Sequence, residues 1–279
     1  DINGIWKNIV VVAAGNEGDS RHHVRTDVSS NINRTEFAIG DNEKNIRLFI
    51  WKYFQDEFEI YLNTPSGKRI NISNDVTVSS QRENIESVLA MPTPYTSKQL
   101  VEVSIRPGNS LDYVISGIWS IEFAVTGTIK CGIVDMWLPT IEAIGLSTGF
   151  LRPSPDTTVT IPATARKVLS VGAFNQDAGS MAPFSGRGYT ADGRLVPLIV
   201  AYGVDVTAAG YGGGYVRKTG TSFAAPKISG YAACIMEWGI VRRNDENMYG
   251  EKLIAYMTRY AVGIEGEEMP GIRQGWGLI

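Results

Sequence analysis

A chain of 279 residues, 43% hydrophobic and 20% charged, is long enough for one large domain or two modest ones, each with an apolar core. Its formal net charge of −3 supplies no basic surface for nucleic acid, and no stretch approaches the ~20 apolar residues of a membrane-spanning helix, so neither is expected as a partner. Two cysteines (Cys131, Cys234) and two adjacent histidines (His22, His23) make neither a disulfide framework nor a zinc site. The thiols are expected to be free and buried, and no metal or cofactor is expected.

The opening "DINGIWKNIVVVAAGNEG" has no initiator Met, basic segment or signal-peptide core, and reads as the end of a helix running into a strand. The chain ends on "GIRQGWGLI" without a cap or polar tail, so both ends read as cuts in a longer polypeptide. Residues 9–14, Ile-Val-Val-Val-Ala-Ala, form a short β-branched run closed by Gly15-Asn16-Glu17-Gly18, the pattern of a buried parallel strand ending in a loop.

From residue 19 to 152 the texture changes to short alternating segments such as Phe58-Glu59-Ile60-Tyr61-Leu62, separated by turn signals, which predict an antiparallel sandwich. After residue 153 come the strand pattern "ARKVLSVGAF" and the buried run "LVPLIVAYG". "YGGGYVRKTGTSFAAP" then leads into a helix reaching about residue 239. Its Ala224, Ala225, Ile228, Gly230, Ala232 and Ala233 predict close packing on all sides. A last helix is expected over residues 247–261. The leading 18 residues are too few to fold alone. The expected organisation is therefore an α/β scaffold, residues 1–18 with 153–279, interrupted by a β-rich insert over 19–152.

One segment carries a chemical signal. In "KTGTSFAAPKISG", residues 218–230, Pro226 is tolerated only near a helix start, so the helix begins close to Ser222, and Gly220 permits a sharp turn before it. A serine there can cap the helix. It can equally be a nucleophile whose oxyanion the helix N-terminus favours, given a base and a group to hold that base. Asn16 is likewise open at this level, as a turn asparagine or as an amide donor.

Gly220-Thr221-Ser222-Phe223-Ala224-Ala225-Pro226 resembles the Gly-Thr-Ser-x-Ala-x-Pro signature of the subtilases, the subtilisin-like serine proteases. Val11-Val12-Ala13-Ala14-Gly15-Asn16-Glu17-Gly18 resembles their oxyanion strand and loop, and "TVTIPATARKVLSVGAFN" the segment that follows it. The resemblance implies a partial subtilisin-like parallel-sheet α/β domain acting as a serine endopeptidase through an acyl-enzyme at Ser222. Asn16 would donate its side-chain amide to the oxyanion beside the Ser222 N–H. Ala13, Ala14 and Gly15 would line the pocket for the residue before the scissile bond, although small residues also pack strands.

In the family the triad order is Asp, His, Ser, which places both partners upstream of residue 1. His22 and His23 follow Asn16 and read as a loop pair at the start of the insert. Within the family the chain resembles the Csp-type clostridial branch, known from spore germination. That branch carries a β jelly-roll insert after the oxyanion loop, a His-His pair, and a return through segments like "WLP" (137–139) and "FLRPSPDTTVTIPATA" (150–165). "RQGWGLI" resembles the family's final strand. A departure is "VPLIVAYG", where Leu198 and Tyr202 replace the aspartate and second proline of a common family loop.

The implied partners are a peptide or protein substrate, among them proprotein or spore-cortex-hydrolase precursors and the protein's own propeptide. The implied setting is bacterial, extracytoplasmic or spore-associated. Some members of this branch have lost triad residues, so a non-catalytic pseudoprotease acting as a binding module is the alternative reading. The 279 residues alone are expected to be inactive, with an open sheet edge that favours homo-association.

Overall fold

The computed structural model describes residues 6–29 and 34–279. The helix end expected before the first strand falls mainly outside this set. The chain forms two compact units, one of residues up to Asp19 together with Pro155–Ile279, the other Ser20–Ser154. The first strand is β1 (Val11–Ala13), part of the first unit.

Among its described residues the second unit holds eleven strands: β2 (His23–Asp27), β3 (Arg34–Ile39), β4 (Ile46–Tyr53), β5 (Phe58–Asn63), β6 (Arg69–Asn71), β7 (Val76–Ser79), β8 (Glu83–Ala90), β9 (Lys98–Pro107), β10 (Gly117–Val125), β11 (Ile133–Trp137) and β12 (Gly149–Phe150). They form a six-stranded sheet, order β2-β11-β4-β9-β8-β7, and a five-stranded sheet, order β12-β3-β10-β5-β6. All the pairings are antiparallel.

Period-2 alternation is the cause. Ile46, Leu48 and Ile50 of β4 point inward and are buried, as are Phe58, Ile60 and Leu62 of β5 and Trp119, Ile121 and Phe123 of β10. The inner faces of both sheets meet in one apolar cluster. Early strands pair with late ones in nested order, β2 with β11, β3 with β10 and β4 with β9.

His22 and His23 correct the expected loop pair: both are buried, and His23 opens strand β2. Alternation in β2 places His23 on the face of exposed Arg25 and Asp27, and it is buried there by its neighbours instead: Trp137, its register partner, stacks its ring on the imidazole at 4.7 Å. Beside them lies Asp135, wholly buried, with His23 Nε2 at 3.3 Å. Arg25 donates to both of its carboxylate oxygens at 2.7 and 3.2 Å, and Lys98 Nζ donates at 3.1 Å. Burial alone would raise the pKa of this carboxyl. The hydrogen bonds from His23 and Arg25 and the charges of Lys98 and Arg25 outweigh burial and hold it well below the usual range.

The first unit continues with β13 (Leu169–Asn175), β14 (Ser180–Met181), β15 (Ile199–Tyr202), the hairpin β16 (Val206–Ala209) and β17 (Tyr215–Lys218), and helices α1 (Thr221–Met236) and α2 (Gly250–Tyr260). Strand β13 is central. β1 and β15 flank it in parallel and β14 adds antiparallel at its end. Its residues Leu169–Phe174 are all buried, Ser170 among them, as befits a strand paired on both sides and packed under a helix.

Helix α1 lays Thr221, Ala224, Ala225, Ile228 and Ala232 on this sheet, and Leu253 and Met257 of α2 join the same core. Close packing on all sides is not what α1 shows. Lys227, Gly230, Tyr231, Ala233 and Cys234 are exposed, because the buried small residues form one stripe of helical period and the opposite face is uncovered. The helix passes at Met236 into a π-helical turn, Glu237–Val241. The expectation of buried thiols is also corrected: Cys131 and Cys234 are free and exposed. Among the described residues no helix is long and apolar enough to cross a membrane, and no group of three or more His, Cys, Asp or Glu side chains gathers as a metal site.

The Asp135 cluster yields a pH prediction. A depressed folded-state pKa gives stability that is complete above the ordinary carboxylate value of 3.8 and is lost as pH falls through the lower folded value. Asp135→Ala is expected to destabilise the β unit at neutral pH by about 1–3 kcal/mol, because it removes the acceptor shared by His23, Arg25 and Lys98. Urea melts of wild type and variant should converge in strong acid.

Candidate active site

Two segments far apart in sequence meet in the first unit. Strand β1 is held by its parallel register on β13, with Ala14 N–H donating to the Val171 carbonyl at 2.9 Å. The strand delivers the chain into Gly15-Asn16. Gly15 has φ +97°, and a Cβ there would lie 2.3 Å from Thr160 Oγ1, so only glycine fits on both counts. Its carbonyl accepts from Gly186 N–H at 2.9 Å, which pins the loop from the other side.

The second segment leaves the β16–β17 hairpin and turns at Gly220 into α1. Gly220 has φ +149° and is itself the residue preceding the helix, with its N–H bonded to the Gly203 carbonyl at 2.8 Å. The capping position is therefore occupied by a residue with no side chain. Ser222 is the second residue of the helix and exposed, which removes the reading of Ser222 as the cap. Pro226 sits inside the helix. Lacking an N–H, it cannot bond the carbonyl of Ser222 one turn back.

Thr221, which the sequence reading passed over, joins the two segments. It is wholly buried. Its hydroxyl accepts from Gly15 N–H at 3.1 Å and donates to Asn16 Oδ1 at 3.0 Å. Its backbone N–H donates to the same Oδ1 at 3.0 Å. The Asn16 oxygen thus takes two donors, which fixes the plane of the amide and turns Nδ2, with its two N–H donors, away from Thr221. Nδ2 lies 3.5 Å from the position a Cβ would occupy on Gly220. The N–H of Thr221 is one of the helix N-terminal donors that need an acceptor outside the helix, and Asn16 supplies it.

Ala13 and Gly15 are half-buried and keep some surface, whereas Ala14 is wholly buried. Of the three residues expected to line a pocket, Ala14 presents no surface of its own. His22 and His23 belong to the β unit, where His23 is engaged by Asp135 and Trp137. The signal that could have found Thr221 was present in the motif, as the hydroxyl residue preceding the serine. Its partner, however, lies 205 positions away and cannot be read from local pattern.

The comparisons with known proteins bear on this geometry. Residues 147–277 match the subtilase family, Peptidase_S8. The chain carries a subtilase segment. The solved structure of the Clostridium perfringens CspB protease is similar over all of this chain and 59% of its own, at 34% identity and a TM-score of 0.89. C5a peptidase of Streptococcus pyogenes is 33% identical over 99 residues, covering 36% of this chain and 8% of that protein. An uncharacterized protein of Aquifex aeolicus is 34% identical over 102 residues, covering 29% of this chain and 46% of that protein. The chain thus has a subtilisin-like fold of mixed parallel and antiparallel sheets, and it spans less than two thirds of the length of these relatives.

Thr221→Val keeps the side-chain volume and removes the hydroxyl. It is expected to leave Gly15 N–H without its acceptor and to destabilise the first unit by about 1–3 kcal/mol. Amide exchange at Gly15 should speed up in the variant while exchange within β10 is unchanged; equal protection in both proteins would contradict the assignment.

Proposed function

We propose that this subtilase segment carries the nucleophile and the oxyanion side of a serine endopeptidase, with Ser222 as nucleophile. The reading is supported most by the double acceptance at Asn16 Oδ1, which leaves the amide N–H groups aimed away from Thr221 and next to the start of the helix that bears Ser222. Ser222 Oγ attacks the scissile carbonyl carbon and passes its proton to a histidine, which an aspartate orients. Both come from the part of the protease domain upstream of residue 1. The carbonyl oxygen becomes an oxyanion and accepts from Asn16 Nδ2–H and Ser222 N–H, with the helix N-terminus favouring the negative charge. The C–N bond breaks as the histidine returns its proton to the leaving amine, and water then releases the acyl group from Ser222 by the reverse proton path. Ala13 and Gly15 flank the bound residue before the scissile bond, and Ala14 supports them from beneath.

The substrate is a peptide or protein, and the protein's own propeptide is a natural first candidate because it would be tethered to the site. Relatives from Clostridium perfringens and Streptococcus pyogenes support a bacterial setting. Within it, we place the parent protease outside the cytoplasm or on the spore.

The test is covalent labelling of the full-length parent protease with a serine-directed fluorophosphonate. Labelling at Ser222, lost in Ser222→Ala, is the expected result. Asn16→Ala should lower kcat by about 10²–10³ with little change in KM, the signature of a donor used in the transition state. An unlabelled Ser222 in a parent that retains its aspartate and histidine would overturn the reading.

A further inference from the structure

Ser222 stands between two loops of one sheet. β1 and β15 both run parallel to β13, so the loops that leave them emerge at the same end of the sheet, on opposite sides of β13. The start of α1 is tied to both loops. Thr221 N–H donates to Asn16 Oδ1 in the loop after β1, and Gly220 N–H donates at 2.8 Å to the carbonyl of Gly203, the residue after β15. A peptide laid across Ser222 therefore has the end of β1 on one side and the end of β15 on the other. Ala13 and Gly15, which flank the residue before the scissile bond, belong to the β1 side. The residues after the scissile bond, which depart with the leaving amine, then lie on the β15 side, at the base of the β16–β17 hairpin.

That base is cationic. Arg217 and Lys218 close β17, five and four residues ahead of Ser222, and both are exposed. Their register partners, Thr207 and Val206, are uncharged. Elsewhere in the first unit Arg194, Arg242, Lys252 and Arg273 each hold a carboxylate. Among the described residues Arg217 and Lys218 hold none, although Asp205, whose N–H donates to Thr219 Oγ1 at 3.1 Å, lies one position beyond the same register. Lys227 reaches this end from α1, its ammonium 5.4 Å from the ring centre of Tyr202, the last residue of β15.

Neighbouring residues of a strand point to opposite faces, so Arg217 and Lys218 put positive charge on both faces of the hairpin, and a leaving segment meets it on either side. β17 is paired with β16 alone, which leaves one of its backbone edges for an extended peptide. An unpaired cation beside a bound peptide attracts a carboxylate and repels another cation, and an exposed pair of this kind changes binding a few-fold.

We propose that Lys218, with Arg217 beside it, makes the protease prefer substrates carrying Asp or Glu at the first or second position after the scissile bond. This rests on the reading of Ser222 as nucleophile, with Ala13 and Gly15 on the acyl side. The test uses the full-length parent protease and two measurements: fluorophosphonate labelling of Ser222, and digestion of a proteome-derived peptide library with sequencing of the new N-termini. Labelling is expected, with Asp and Glu favoured about fivefold over Lys and Arg at the first two positions of those N-termini. Raising the salt from about 0.1 M to about 1 M should flatten the preference. Lys218→Glu should abolish it, and Lys218→Glu combined with Arg217→Glu should reverse it, a change of selectivity that a loss of folding cannot mimic. A labelled protease whose new N-termini show no acidic enrichment, that cuts no peptide, or whose preference survives in the double variant overturns the proposal and leaves the nucleophile standing. A protease that retains its aspartate and histidine and is not labelled at Ser222 overturns both.

Discussion

The site depends on one acceptor atom, Asn16 Oδ1, and the two donors that Thr221 aims at it. A typical hydrogen bond in a protein contributes only about 1 kcal/mol net, so these bonds do not hold the two segments together. The scaffold does that. β1 lies in register on β13, the buried stripe of α1 packs on the same sheet, and Gly15 fits against Thr160 because it has no Cβ. Once the segments are in place, the hydrogen bonds choose between the two faces of an amide. They fix the orientation of the Asn16 amide, so that its two N–H donors keep one direction.

The β unit is physically self-contained. It has its own core, and its pairings are nested within residues 20–154. Its two ends are tied to each other: Ser154 N–H donates to the His23 carbonyl at 2.9 Å, Ser154 Oγ accepts from Arg25 N–H at 2.9 Å, and Phe150 N–H donates to the Arg21 carbonyl at 2.8 Å. A module whose entry and exit lie side by side can interrupt a loop without stretching it. That explains how about half of the chain can stand between Asn16 and Ser222 while both remain parts of one unit. Asp135 secures the same region from within, binding the first strand of the module, through His23 and Arg25, to its penultimate one.

Much of the fold was legible because burial imposes a period. The Ile-Val-Val-Val run, the alternation in Phe58–Leu62 and the strand pattern of Leu169, Val171 and Ala173 each led to a strand, and Gly220 and Pro226 located the start of α1. What the pattern could not carry is anything set by partners distant in sequence. The exposure of Cys234 and Gly230 depends on what covers α1, not on α1 itself. His23 looked like a loop residue because its burial comes from Trp137 and Asp135, on a strand more than a hundred positions later. At the site, Ser222 and Asn16 stood out by motif, yet the role of Thr221 is visible only where the loop and the helix meet.

The most direct measurement of the account is amide hydrogen exchange at Thr221. If Asn16 Oδ1 accepts its N–H as the geometry shows, that amide exchanges only when the first unit opens, as slowly as the amides of β13. In Asn16→Ala its protection falls by at least an order of magnitude while β13 is unaffected. A Thr221 amide that exchanges in the native protein as fast as the exposed glycines of the β16–β17 hairpin tip, with or without Asn16, would contradict it.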